Sequence, residues 1–135
     1  MDYKFSFEKL EVWQTARLLV GDIYRVTQKF PESERFGLTN QMRRSANSVC
    51  ANLAEGGTRI SSKEQAHFTS ISYGSLIELL NHLIISNDLN FLEDDKLIEL
   101  RAKIQPLSIK INNLRSKQMS FINKLKIIIA IFFMQ

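Results

Sequence analysis

The stretch Arg43–Arg59, RRSANSVCANLAEGGTR, has two arginines at one end and two glycines and an arginine near the other. Between them lie ten residues, Ser45 to Ala54, with no charge and no aromatic ring. A helix face in water normally carries charges, and a core helix normally carries large apolar side chains. A helix with neither fits a position packed closely on several sides. At 100° per residue, Leu38, Met42, Ala46, Val49 and Leu53 form one strip, the core face. Arg43, Asn47, Cys50 and Ala54 lie on one flank, and Gln41, Ser45, Ser48, Asn52 and Glu55 on the other. Small flanks let another backbone approach, and their amides and hydroxyls can hydrogen-bond across the contact. The other helices carry charges on their outer faces, so this pattern predicts a helix held between its own bundle and a neighbouring subunit. Asn47, Cys50, Ala51 and Ala54 are the expected contact residues.

Three more helices are legible around it. Trp13, Ala16, Val20, Ile23, Thr27 and Phe30 recur at helical spacing and predict a helix from about Phe7 to Phe30, capped by Ser6 and stopped by Pro31. The second helix is expected over Phe36–Glu55, with Gly56-Gly57 supplying a left-handed terminating residue. A third starts at SSKE, where Ser61 and Glu64 have capping-box spacing, and runs to about Asn87. One of its faces carries Phe68, Ser72, Ser75, Leu79 and Ser86. A second carries Leu76 with Tyr73, Ile77, Leu80 and Ile84. Two faces exceed the need of one core, so Tyr73, Ile77, Leu80 and Ile84 are assigned to a subunit contact. The fourth helix, Glu93–Lys117, presents Leu97, Leu100, Ile104, Leu107, Ile111 and Leu114. Acids in its first turn, and Arg115 and Lys117 in its last, suit the helix dipole. Pro106 lies inside it and predicts a kink. No stretch alternates like a strand. The chain reads as all-α, an antiparallel up-down four-helix bundle over residues 1–118.

Charge is divided along the chain. Residues 1–99 carry 11 Lys/Arg against 14 Asp/Glu, and residues 100–135 carry 7 Lys/Arg and no acid. The overall +4 therefore belongs to the C-terminal quarter. Residues 119–135 form a basic, apolar tail whose eight-residue run Ile127–Met134 is too short to span a bilayer, which takes about 20. It reads as an extension that continues helix four or packs on the bundle. A weak membrane-surface anchor behind Lys124 and Lys126 is the other reading. A single cysteine and a start without a continuous apolar stretch predict a cytoplasmic protein.

The runs KLEVWQTAR, FPESERFGLTNQMRRSANSVCANLAEGGTR and SSKEQAHFTSISYGSLIEL together resemble the bacterial four-helix-bundle family encoded within intervening sequences of 23S ribosomal RNA genes. The resemblance covers about residues 5–117. Its most specific part is the Arg-Arg-Ser-Ala, Asn-Leu-Ala-Glu-Gly, Arg, Gly-Ser-Leu order across helices two and three. It implies an antiparallel bundle assembling into a homo-oligomer, a pentamer, with no enzymatic activity. A related bundle serves as an accessory subunit of reverse transcriptases in diversity-generating retroelements. Pro106 and the apolar tail depart from the family pattern.

Catalytic and metal chemistry find little support in the residues. Glu64 and His67 form one Glu-x-x-His pair, but His82 has Leu79 three residues before it, so a di-metal bundle lacks its second pair. Cys50 sits mid-helix without an activating neighbour and reads as an inert thiol. Gly56-Gly57-Thr58-Arg59 precedes a helix start but lacks the P-loop pattern. No enzyme, metal or cofactor is expected. The binding candidates are Arg43, Arg44, Arg59 and Lys63, at the two ends of helix two and the start of helix three, repeated around a ring-shaped homo-oligomer and directed at the phosphates of structured RNA or of a ribonucleoprotein or reverse-transcriptase partner. Arg101, Lys103, Lys110, Arg115 and Lys117 offer a second patch. The competing reading is a protein–protein adaptor whose arginines are structural.

Overall fold

The computed structural model describes residues 2–134. Residues 1 and 135, the outer ends of the two expected segments, lie outside the described residues. The chain is all-α: four helices, α1 (Glu11–Thr27), α2 (Leu38–Gly57), α3 (Ser62–Asp88) and α4 (Asp94–Phe133), with short 3-10 turns at Ser6–Lys9 and Glu32–Glu34 and no strand among the described residues. They form a four-helix bundle in which α2 packs on α1 and α3, and α4 on α3 and α1.

The core is a column of aliphatic side chains. Met42, Ala46, Val49 and Leu53 of α2 meet Leu76, Leu79 and Leu83 of α3 and Leu100, Ile104, Leu107 and Ile111 of α4. Phe30 and Leu92 close one end of the column. The expected faces of α2 and α4 are buried along their middle, while Leu38, Leu97 and Leu114 at their ends are half-buried. On α1 the buried strip is Val12, Ala16, Leu19, Ile23 and Thr27. Trp13 and Val20, expected at its centre, are half-buried on its margin. The indole packs edge-on against Phe7 at 5.0 Å.

The helix ends differ from expectation. Ser6 opens a 3-10 turn rather than capping α1, which begins at Glu11 without a side-chain cap. The start of α2 is held by Glu34, whose carboxylate accepts the Leu38 N–H at 3.0 Å. A Cβ on Gly37 would lie 2.5 Å from that carboxylate oxygen. Glu34→Ala and Gly37→Ala are therefore each expected to lower stability by about 1 kcal/mol, the worth of an N-cap. The double variant should cost little more than either alone, as chemical denaturation of the three proteins will show.

Gly56 and Gly57 do not supply a left-handed terminator; no glycine among the described residues has positive φ. Both lie within α2, which Thr58 closes by donating its hydroxyl to the Glu55 carbonyl at 2.7 Å. Gly56 is buried because α3 passes there: a Cβ would meet Cβ of Phe68 at 3.0 Å. The left-handed residue is Asn90, φ 62°, in the turn between α3 and α4. Ser61 caps α3 as expected, its hydroxyl accepting the Glu64 N–H at 3.1 Å.

The serines of α3 explain its first face. Ser72 donates to the Val49 carbonyl at 2.8 Å, Ser75 to the Ser48 hydroxyl at 2.9 Å, and Ser86 approaches the Met42 sulfur at 3.5 Å. Short hydroxyl side chains let α2 and α3 approach, and each finds an acceptor, so their burial carries no penalty for an unmade hydrogen bond.

α4 runs unbroken through Pro106 and past Lys117 to Phe133. Pro106 and Ala102, whose carbonyl the proline cannot bond, are both exposed, so water can take that bond. Arg115 and Lys117 consequently sit inside the helix rather than in its last turn. Arg115 lies over the Tyr73 ring at 5.1 Å. None of residues 119–134 is buried. No helix among the described residues is long and apolar enough to cross a membrane.

Candidate nucleic-acid interface

Arg43 and Arg44 are neighbours in sequence, but 100° apart on the helix. That rotation gives them different environments. Arg43 turns toward α1. Its Nε donates to the Thr27 hydroxyl at 2.9 Å and its guanidinium lies over the Tyr24 ring at 4.4 Å. Asn47, one turn on, donates to the Tyr24 hydroxyl at 3.2 Å. Cys50 lies half-buried on the same flank, where burial pushes its thiol up to about 11, against the opposing pull of Arg17. A thiol so raised stays protonated near neutrality and is a poor nucleophile.

Arg44 turns outward. It is exposed and makes no ion pair among the described residues. Beside it, an open recess of about 530 Å³ is lined by Asn40, Arg43, Ser48, Ala51 and, from α3, Glu78 among others. The recess offers guanidinium, amide and hydroxyl donors around one carboxylate. The Glu78 carboxylate lies 3.5 Å from His82 Nε2. Such a surface suits a phosphate backbone better than a buried small molecule.

The other two expected cations are not part of this cluster. Arg59 and Lys63 lie at the opposite end of α2, roughly 20 Å along the helix from Arg44 at 1.5 Å per residue. Arg59 stacks over Phe68 at 4.6 Å, and its buried Nε has no hydrogen-bond partner among the described residues. Lys63 is exposed in the first turn of α3. The second patch on α4 is largely spoken for. Lys103 pairs with Asp22 at 2.9 Å and Lys110 with Glu11 at 2.8 Å, tying α4 to α1. Although burial works against it, Lys103 and Arg25 together hold the Asp22 carboxyl below its ordinary range. Arg101 and Lys117 remain exposed.

The residues expected between subunits divide similarly. Tyr73 and Leu80 pack against the chain's own core, as does Cys50. Ala54 and Ile84 are half-buried, and Asn47, Ala51 and Ile77 are exposed. The smallness of α2 is thus used first within the chain, against α1 on one flank and α3 on the other. What remains uncovered is a strip along α3, where Ile71, Ile77 and Ile85 are about 40% exposed, around Gly74, whose missing side chain faces open space. The two faces read from α3 miss this strip, because Ile71 and Ile85 belong to neither. At 100° per residue they fall with Gly74 on the arc outside both faces, which is the signal that would have found it.

No curated protein matches the chain. The model of one protein family matches residues 8–113, a span that takes in most of the bundle, both arginines of the recess and the α3 strip, and stops short of the apolar extension. Through that match, and with four packed helices to accompany it, the chain belongs to the 23S rRNA-intervening sequence protein family.

Proposed function

We propose that the chain is a non-enzymatic, cytoplasmic scaffold that assembles as a ring-shaped homo-oligomer, a pentamer, and binds structured RNA, alone or within a ribonucleoprotein or reverse-transcriptase complex. The observation that carries the proposal is Arg44, exposed and without an acidic partner among the described residues beside the polar recess. One such arginine per chain is a modest charge. Repeated around a ring, it becomes a field that phosphates feel collectively. Membership of a family named for an intervening sequence of ribosomal RNA is consistent with an RNA partner.

An up-and-down antiparallel order is supported by how the helices meet. Ser72 meets Val49 while Ser86, later on α3, meets Met42, earlier on α2. Lys103 meets Asp22 while Lys110 meets Glu11. Thr69 meets Gln118 while Asn87 meets Asp94. The subunit contact is assigned to the α3 strip of Ile71, Ile77 and Ile85. Exposed isoleucines around an uncovered glycine are apolar surface that a neighbouring helix can bury.

A second reading, the protein–protein adaptor, is favoured by Arg43 alone, which is already engaged by Thr27 and Tyr24. Single variants separate the two readings. Arg44→Ala is expected to weaken RNA binding and flatten its dependence on salt by about one unit for each phosphate that is no longer neutralised, with the helical circular-dichroism signal and the assembly mass unchanged. Arg43→Ala is expected to act mainly on thermal stability. If Arg44→Ala leaves RNA binding intact, or dissociates the oligomer, the adaptor reading replaces the RNA reading.

A further inference from the structure

The bundle proper leaves one element unexplained. Beyond Gln118, α4 continues for residues 119–133, a helical projection about 22 Å long. None of it is buried against the bundle. Its outer part, Ile127–Met134, is apolar in every direction. Eight residues at 100° steps leave no gap wider than about 60° on the wheel. A helix seeking one partner needs a stripe; a helix apolar all round belongs in an apolar medium.

The inner part specifies which medium. Lys117, Lys124 and Lys126 precede the apolar run, and no acid follows Glu99. Thr69 donates to Gln118 at 2.8 Å, so the projection leaves the bundle beside the first turns of α3. That end also carries the exposed Lys63 and the fully exposed Ile60. Pairing of the projections from several copies would bring Lys124 and Lys126 together as like charges. An anionic lipid surface instead attracts those lysines and dissolves the run behind them. At about 12 Å, Ile127–Met134 reaches into one leaflet of a hydrocarbon core about 30 Å thick and cannot cross it.

We infer that residues 119–134 are a surface anchor for an anionic bilayer, with Lys117, Lys124 and Lys126 at the headgroups and the Ile127–Met134 run among the acyl chains. The inference does not depend on RNA binding.

Co-sedimentation of the full chain with phosphatidylcholine vesicles, with and without phosphatidylserine, tests it. Retention is expected on the phosphatidylserine vesicles and not on phosphatidylcholine alone, and it should fall with added salt. Lys124→Gln and Lys126→Gln are each expected to reduce partitioning about fivefold. Ile128→Glu with Phe132→Glu should abolish it, with the helical signal kept because both side chains are exposed already. The anchor is overturned by any of three results: no retention, equal retention on the two vesicle types, or retention that survives the glutamates. It is equally overturned if the glutamates merely lower the assembly mass of a protein that never bound vesicles.

Discussion

Leu79→Ala is expected to lower the free energy of unfolding by about 2–5 kcal/mol, the largest effect of any single truncation proposed for this chain. Leu79 is wholly buried in the middle of α3. That helix packs on both α2 and α4, so the vacated space borders both neighbours. Its inward face is poor in apolar volume, because Ser72, Ser75 and Ser86 occupy buried positions there. Leu76, Leu79 and Leu83 supply most of what remains. The serines are held by hydrogen bonds to α2 and cannot shift to fill a void without breaking them. Ile77→Ala, two residues away on the exposed arc, should change the stability of the isolated bundle by no more than about 0.5 kcal/mol. Urea denaturation repeated over a range of protein concentrations gives both numbers, because only the contribution of assembly changes with concentration.

Gly74→Leu should act almost entirely on assembly. A Cβ at this position meets nothing within 4 Å in the single chain. An exposed glycine inside a helix is itself unfavourable by about 1 kcal/mol relative to alanine, so a side chain here should help the isolated helix. If the Ile71–Ile85 strip is the subunit contact, the leucine instead forces the neighbouring surface away at every copy, at about 1–3 kcal/mol per contact. The expected result is a fully helical protein whose light-scattering mass drops from a multiple of 15.6 kDa to 15.6 kDa itself. An unchanged mass would remove this strip from the interface.

Much of the fold was legible because helical spacing is a local signal. The buried strips of α2 and α4 follow from residue identity at three- and four-residue steps, and the cap at Ser61 from four consecutive residues. What escaped depends on neighbours distant in sequence. Trp13 has the apolarity of a core residue, but its size is judged only against the helix opposite. Gly56 looks like a terminator because glycine suits that role, and only the passage of Phe68 reveals it as a point of close approach. The candidate site was half legible. The four cations stand out in the sequence as charges at the two ends of α2, but spacing could not tell that Arg43 is engaged and Arg44 turned outward. The signal lay in α1, where Tyr24 and Thr27 stand three residues apart on one face and together receive a guanidinium from α2. The small flanks of α2 pointed to close packing, and close packing is present; α1 and α3 of the same chain supply the first part of it.

The most direct test of a ring that collects phosphate contacts is the salt dependence of RNA affinity for the unaltered protein. Each phosphate neutralised contributes a slope of about −0.7 to −0.9 in log K against log salt. One chain offers few free cations at the recess, so binding by a single copy gives a slope of about −1 to −2. Binding across several copies is predicted to give a straight line steeper than about −3. A slope near zero, or no affinity for structured RNA at low salt, contradicts the account.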